Sequence, residues 1–333
     1  MNSPSQDSSV STHLDAFDIA VLHTLMYFDI FSHPLTTDEI HRNCQWQSCS
    51  LTETASALEN LLGLGVVGHS EDFWFLSGNE KNIHLRLERQ DRALHFQRKA
   101  KKYSRFIALF PFVRAVSVSG SLSKGTMDKD GDIDYVIVTE PGRLWVSRTM
   151  LVLFKKIFLL NSKKYFCVNY FIDTERLSIP DRNLFVATEI AFLQPMVNKT
   201  IHDEFISSNH WVNLFYPNRE LQARSEISEL SAGFLKRTIE KMLAKNFGEW
   251  LDEKCLRITL NRWRKKFPHI SDLDFDVDFR SKKNVSKHHP QGFQRKVAVE
   301  MEKRKEMILE QTGILVPAMR WEWTSENDSV KKA

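Results

Sequence analysis

The stretch SVSGSLSKGTMDKDGDIDYVIVT, from Ser117 to Thr139, decides the fold of the central part of this chain. Two runs within and around it, residues 115–120 and 133–139, are rich in β-branched residues and predict strands. The polar segment between them contains DKDGDID, which places aspartates at four alternate positions: Asp128, Asp130, Asp132 and Asp134. This pattern is found in calcium loops, in solvated acidic turns and in the metal sites of enzymes.

Spacing excludes two common motifs. A calcium-binding EF-hand loop that began at Asp128 would need glycine at its sixth position and glutamate at its twelfth, where Ile133 and Thr139 stand. A loop that began at Asp130 fails in the same way, because Tyr135 would take the sixth position. A P-loop is excluded because the lysine of GSLSKGT precedes the second glycine.

The turn after the first strand still carries groups that bind phosphate. Gly120 allows the backbone to turn tightly, and Ser121 and Ser123 offer hydroxyl groups. Lys124 and the exposed backbone N–H groups of the turn can hold a polyphosphate. The sequence therefore predicts a nucleotide-binding loop at residues 120–124.

The last two aspartates of the cluster form a pair. In an extended strand, residues two apart point to the same face, so Asp132 and Asp134 project together while Ile133 enters the core. Two converging carboxylates repel each other and attract a divalent cation such as Mg²⁺ or Mn²⁺. A metal held by such a pair next to a triphosphate is the arrangement of metal-assisted phosphoryl transfer.

The combination of a strand, Gly-Ser, about ten residues, Asp-Ile-Asp and an apolar strand resembles the signature of the nucleotidyltransferase superfamily. That superfamily includes DNA polymerase beta, poly(A) polymerase, CCA-adding enzymes and aminoglycoside nucleotidyltransferases. The resemblance covers the chain from Val113 to about Asp173. It implies that Gly120 and Ser121 hold the phosphates of a nucleotide, with help from Lys124. It also implies that the two paired aspartates ligate magnesium.

Many members of that superfamily have a third carboxylate on a later strand. In this chain the third predicted strand is KYFCVNYFID, residues 164–173, and the equivalent central position is Asn169. An amide can ligate a metal but cannot act as a base at neutral pH. Asp173 is predicted to lie on the same strand face as Asn169 and to be the catalytic carboxylate if the strand is long enough.

Two other interpretations of the aspartate pair remain open. One is a solvated acidic turn without a ligand. The other is the Asp-x-Asp motif of a glycosyltransferase, which also binds a metal diphosphate, although it does not account for Gly-Ser before the strand. A basic cluster that includes Lys287, His288 and His289 is either a solvated loop or a contact for phosphate or acceptor beside the site.

The N-terminal part is acidic and the rest of the chain is basic. Up to Leu85 the basic residues are Arg42 and Lys81, against eleven Asp and Glu, so about −9 of charge is followed by about +13. Three helical patterns and a hairpin predict a winged-helix-like domain. Capping boxes at Thr36/Glu39 and Ser50/Glu53 mark two of its helices. Acidic side chains on its third helix and hairpin turn disfavour DNA binding.

The predicted fold class is α+β, with a small mixed-sheet nucleotidyltransferase core between a winged-helix-like domain and a helical C-terminal domain. A basic helix connects the first two domains. The predicted boundaries are a disordered lead at 1–13, the winged-helix-like domain at 14–81, the connecting helix at 82–110, the core at 111–180 and the C-terminal domain at 181–333.

Composition is that of a soluble globular protein in a reducing compartment. The chain of 333 residues contains 4 scattered cysteines, which predicts free thiols and a cytoplasmic location. Its most apolar run, residues 143–160, is interrupted by charges, so no membrane span is expected.

The predicted function is magnesium-dependent transfer of a nucleoside monophosphate from a nucleoside triphosphate to an acceptor, with release of pyrophosphate. The acceptor is a small molecule, a protein side chain or an RNA end. The alternative is a non-catalytic nucleotide-binding sensor or interaction protein on the same fold, which Asn169 favours. Neither the base of the nucleotide nor the acceptor follows from the sequence.

Overall fold

A computed structural model describes residues 14–221, 227, 229, 233–268, 281–287 and 293–322. The predicted lead at 1–13 lies outside these residues. The described helices are α1 (Ala16–Asp29), α2 (Thr37–Arg42), α3 (Leu51–Gly63), α4 (Asn82–Ala108), α5 (Gly120–Ser123), α6 (Leu144–Phe158), α7 (Leu184–Ala191), α8 (Lys199–Ser208), α9 (Val212–Phe215), α10 (Phe234–Met242), α11 (Asn246–Lys266) and α12 (Phe293–Thr312). The described strands are β1 (Val67–Ser70), β2 (Phe73–Leu76), β3 (Val113–Ser119), β4 (Asp134–Thr139), β5 (Cys167–Asp173), β6 (Gln194–Val197), β7 (Ser281–Lys282) and β8 (Val285–Lys287).

A six-stranded sheet forms the centre of the basic part of the chain, with strand order β6-β3-β4-β5-β8-β7. Strands β4 and β5 run parallel, and the other neighbouring pairs are antiparallel. The parallel pair requires a crossover connection, which α6 supplies. This mixed sheet with its helices confirms the predicted α+β class.

One face of the sheet is covered by helices. Tyr135 and Ile137 of β4 are fully buried in a cluster with Val116 and Val118 of β3 and with side chains of α4 and α6. Burial of each such side chain contributes about 1.5–3 kcal/mol. Because side chains alternate along a strand, Asp134, the first residue of β4, lies on the other face. The apolar alternation thus decides which face is left for chemistry.

The N-terminal elements have the helix and strand order expected from the sequence. Helices α1, α2 and α3 are followed by the antiparallel pair β1–β2, and both predicted capping boxes are present. Within the same unit, Arg304 of α12 donates from Nε to Oδ2 of Asp29 at 3.0 Å. The assignment of this part as a winged helix stays a prediction.

The chain after Pro180 differs from the predicted all-helical domain. Strands β6, β7 and β8 come from this part and join the central sheet. By internal contacts, one compact unit consists of the described residues of 1–84, 213–219 and 297–321, and the other consists of the described residues of 85–212, 220–296 and Glu322. The range 181–333 is therefore divided between the two units. The short strands were missed because they lack a long apolar run.

No helix in the described part of the chain is both long enough and apolar enough to cross a membrane.

Candidate functional site

The site is built around the two aspartates at the start of β4, and all of its residues belong to the unit that contains the six-stranded sheet. One ligand atom each from Asp132, Asp134 and Cys167 lie within 4.8 Å of one another. Asp134 opens β4, whereas Asp132 lies just before the strand begins. The structure therefore brings the predicted pair together and adds a thiol that sequence reasoning missed.

The backbone between the aspartates is fixed by the neighbouring strand. The amide of Ile133 donates to the carbonyl of Lys164 at 3.1 Å, and the amide of Cys167 donates to the carbonyl of Ile133 at 3.1 Å. The side chain of Ile133 is fully buried, as predicted. These contacts direct the carboxylates before and after Ile133 toward one place.

The electrostatics of the pair are those of crowded anions. The pKa of Asp134 is raised to about 7, first by burial and then by the charge of Asp132. Burial also raises the pKa of the Cys167 thiol, and the charges of Asp134 and Asp132 add to that effect. Two buried acids whose ionised forms repel each other are stabilised when a cation binds between them.

We expect Asp134→Asn to stabilise the metal-free protein, and to do so increasingly between about pH 4 and pH 7. The folded pKa of Asp134 is about 7 and its ordinary value is 3.8, so folding retains a proton that the unfolded chain releases, and stability falls as pH rises. Above pH 7 the difference should reach on the order of 1–3 kcal/mol. Thermal unfolding in a chelator at pH 5 and pH 8 measures it, with the exposed Asp130→Asn as control. A difference that does not grow with pH would contradict the raised pKa.

The glycine of the predicted phosphate loop is required by geometry. Gly120 has φ +70°, and a Cβ added there would lie 2.7 Å from Oδ2 of Asp134. It follows directly after Ser119, which pairs with Asp134 across β3 and β4. The backbone of the loop can therefore approach the carboxylate only at a residue without a side chain.

The other loop residues have different positions. Ser121 is exposed, so its hydroxyl can reach a ligand. Ser123 is buried and its hydroxyl donates to the carbonyl of Gly120 at 2.8 Å, so the structure does not support its predicted phosphate contact. Lys124 donates from Nζ to the carbonyl of Gly120 at 3.1 Å, which holds the lysine over the loop.

A glutamate from α7 completes the loop region, and no local sequence signal identifies it. Nζ of Lys124 donates to Oε1 of Glu189 at 2.7 Å, and the amide of Gly120 donates to Oε2 at 3.3 Å. Helix α7 reaches this place because it leads into β6, whose Gln194 pairs with Val118 near the end of β3. The charge of Glu189 also contributes to the raised pKa of Asp134.

Asn169 lies beside the aspartate pair. Its Nδ2 donates to Oδ1 of Asp134 at 3.1 Å and to Sγ of Cys167 at 3.0 Å. The register of β4 and β5 shifts between Tyr135 and Val136, which leaves Asn169 as an extra residue in β5. The amide therefore occupies the place of the third carboxylate, as the sequence predicts.

The expectation that Asp173 replaces this third carboxylate is wrong. Asp173 pairs with Thr139 at the far end of β4, about 17 Å along the strand from Asp134. The extra residue at Asn169 also reverses the alternation, so Asp173 shares the face of Ile137 and Thr139 rather than that of Asp134. Its Oδ1 accepts from the amide of Glu175 at 3.2 Å, which is a structural contact.

Part of the basic cluster lies next to the site. Lys287 of β8 pairs with Tyr170, and Tyr170 pairs with Val136 two residues after Asp134. This register places Lys287 on the same face of the sheet as the aspartates. His288 and His289 lie outside the described residues.

The donor set fits a hard divalent cation. Asp132 and Asp134 offer carboxylate oxygens, and Asn169 offers an amide oxygen if its side chain turns over. The Cys167 thiol is a soft ligand only when ionised, and its raised pKa keeps it protonated at neutral pH. The repulsion between the two carboxylates is the feature that a cation would relieve.

Comparison with known proteins identifies the region that contains this site. A family model of the nucleotidyltransferase domain matches residues 98–208, which is about one third of the chain. No curated protein and no solved structure matches the chain significantly. The matched range contains the aspartate pair, the loop at Gly120, Asn169 and Glu189. Residues 98–208 are a nucleotidyltransferase domain, and the chain thereby belongs to the nucleotidyltransferase superfamily.

Proposed function

We propose that this protein transfers a nucleoside monophosphate from a nucleoside triphosphate to an acceptor, with Mg²⁺ or Mn²⁺ and with release of pyrophosphate. The observation that carries the proposal is the approach of the Gly120 loop to the aspartate pair: an added Cβ at Gly120 would lie 2.7 Å from Oδ2 of Asp134. A phosphate group on that loop would therefore lie next to a metal held by Asp132 and Asp134. No other arrangement of the described residues combines these two features.

Each residue has a distinct task in this reaction. An acceptor hydroxyl oxygen forms a bond to the α-phosphorus, the bond from that phosphorus to the bridging oxygen breaks, and pyrophosphate leaves. The backbone amide of Gly120, the hydroxyl of Ser121 and the ammonium of Lys124 hold the phosphates. A divalent metal, when bound by Asp132 and Asp134, neutralises phosphate charge. Asn169 orients Asp134 and cannot accept the proton of the acceptor, so the bases of the site are carboxylates.

The acceptor is a small molecule, a protein side chain or an RNA end. Duplex DNA is disfavoured as a partner of the N-terminal part because its helices and hairpin turn carry acidic side chains. We place the protein in the cytoplasm, and the four cysteines, all of them free, support a reducing compartment.

Transfer can be tested without knowledge of the acceptor. Each of the four ribonucleoside triphosphates, labelled at the α-phosphate, is incubated with Mg²⁺, the protein and fractions of a cell extract separated into small molecules, protein and RNA. Label should move into one class of acceptor, with an equal amount of pyrophosphate. Undiminished transfer by a variant that lacks both Asp132 and Asp134 carboxylates would show that the activity belongs to another site.

A second function, a nucleotide-binding sensor without catalysis, is favoured by one observation. Asn169 donates to Asp134 at the position where a third carboxylate would act. A sensor would bind a nucleoside triphosphate with Mg²⁺ in titration calorimetry and leave every acceptor fraction unlabelled. A transferase would do both.

We expect Asn169→Asp to tighten the binding of Mn²⁺ about tenfold at pH 8, because a third carboxylate would join the pair beside Asp134. Electron paramagnetic resonance of free Mn²⁺ measures the affinity. Asn161→Asp, at an exposed position of the same unit, adds the same charge and should leave the affinity unchanged. Equal affinities for wild type and Asn169→Asp would place residue 169 beyond the reach of the metal.

A further inference from the structure

Glu189 holds the two groups that the proposed function assigns to phosphate. Its Oε1 accepts from Nζ of Lys124 at 2.7 Å, and its Oε2 accepts from the amide of Gly120 at 3.3 Å. The ion pair is partly buried, with side chains 15% exposed for Lys124 and 31% exposed for Glu189. A carboxylate with two oxygens here makes the contacts that two oxygens of a phosphate would make.

Phosphate and Glu189 cannot use these donors together. The amide of Gly120 has one hydrogen, and a phosphate oxygen within hydrogen-bond distance of Lys124 would lie close to the carboxylate that already contacts Nζ. Repulsion between the two anions would be strong because the lysine is mostly shielded from water. Binding of a nucleotide therefore requires that the glutamate side chain move away.

We propose that Glu189 is an intramolecular competitor of the nucleotide's phosphates and sets the affinity of the site for them. This inference rests on the proposed function, since it takes Gly120 and Lys124 as phosphate ligands. Glu189 acts through these two groups and is a positioning residue rather than a catalytic one. Because each bound phosphate must offset the loss of the Lys124–Glu189 pair, a triphosphate with its metal gains more than a monophosphate does. The competitor thus favours the long phosphate chain over the short one.

Inorganic tripolyphosphate with Mg²⁺ is the probe, because it tests the phosphate site without a choice of base. Glu189→Gln keeps an oxygen that accepts from Lys124 and removes the charge. We expect the Kd of this variant for tripolyphosphate to be about tenfold lower than that of wild type in titration calorimetry, which corresponds to ~1.4 kcal/mol. Glu175→Gln, an exposed glutamate of the same unit that lies past the far end of β5, removes the same charge and should bind like wild type.

The outcomes separate the two proposals. A Kd for Glu189→Gln that is unchanged or higher than that of wild type would overturn the inference and show that Glu189 only organises the loop. If Glu189→Gln is unstable, Glu189→Ala should show the same direction of change. Lys124→Met should lose tripolyphosphate binding with either residue at position 189. Failure of both wild type and Glu189→Gln to bind tripolyphosphate would overturn the phosphate site and, with it, the proposed function.

Discussion

Replacement of Asp132 or Asp134 by asparagine will lower nucleotide transfer at least about 10³-fold, equivalent to about 4 kcal/mol of transition-state stabilisation. Each substitution removes one of the two carboxylates whose atoms lie within 4.8 Å of each other and of Cys167. The shape of the side chain is kept, so the loss would come from the missing charge. Initial rates with α-labelled nucleotide and saturating Mg²⁺ measure the effect.

The matched control is Asp130→Asn. Asp130 belongs to the same acidic segment but is exposed, so the variant loses the same net charge outside the site. It should retain transfer within about twofold. An equal loss in all three variants would mean that the charge of the segment, and not the pair, supports activity. The opposite effects of Asp134→Asn on transfer and on metal-free stability would show that the carboxylate is kept for chemistry at a cost in folding.

Gly120→Ala will lower kcat/KM for the nucleotide at least about 100-fold, because its Cβ would lie 2.7 Å from Oδ2 of Asp134 and would displace either the loop or the carboxylate. Gly125→Ala is the matched control. Gly125 also has positive φ, +75°, but a Cβ there meets nothing within 4 Å. Both substitutions pay about 1–2 kcal/mol for an alanine in the left-handed region.

Comparison of the two alanine variants separates backbone strain from the contact with Asp134. Thermal unfolding should shift to a similar extent in both, whereas transfer should fall sharply only for Gly120→Ala. Similar losses of transfer in both variants would show that the contact between Gly120 and Asp134 has no role beyond strain.

Local sequence patterns predicted the central sheet and the aspartate pair well. The apolar runs around Ile137 and Val116 form adjacent strands, and the Asp-Ile-Asp spacing brings its carboxylates together because the residue between them is buried. Both features depend on alternation along a strand, which short-range sequence determines. The match to the nucleotidyltransferase domain agrees with them.

The rest of the site depends on contacts that local patterns do not encode. The error over Asp173 arose from one extra residue in β5: regular alternation puts residues 169 and 173 on one face, and the register shift beside Asn169 breaks that rule. Cys167 lies in the site through its pairing with Asp134, which is known only once β4 and β5 are aligned. Glu189 comes from a helix distant in the sequence.

The backbone bonds of Ile133 also have a consequence for motion. Its amide and carbonyl both bond to the segment that enters β5, at Lys164 and Cys167, so the two aspartates can separate only if the junction of β4 and β5 opens. Fluctuations of that kind involve the sheet as a whole and are rare and slow. Rotation of a long side chain such as Lys124 or Glu189 takes nanoseconds or less when it is not held by packing. On the time scale of ligand arrival, the metal-binding half of the site is stationary, and adaptation is confined to the phosphate-binding half.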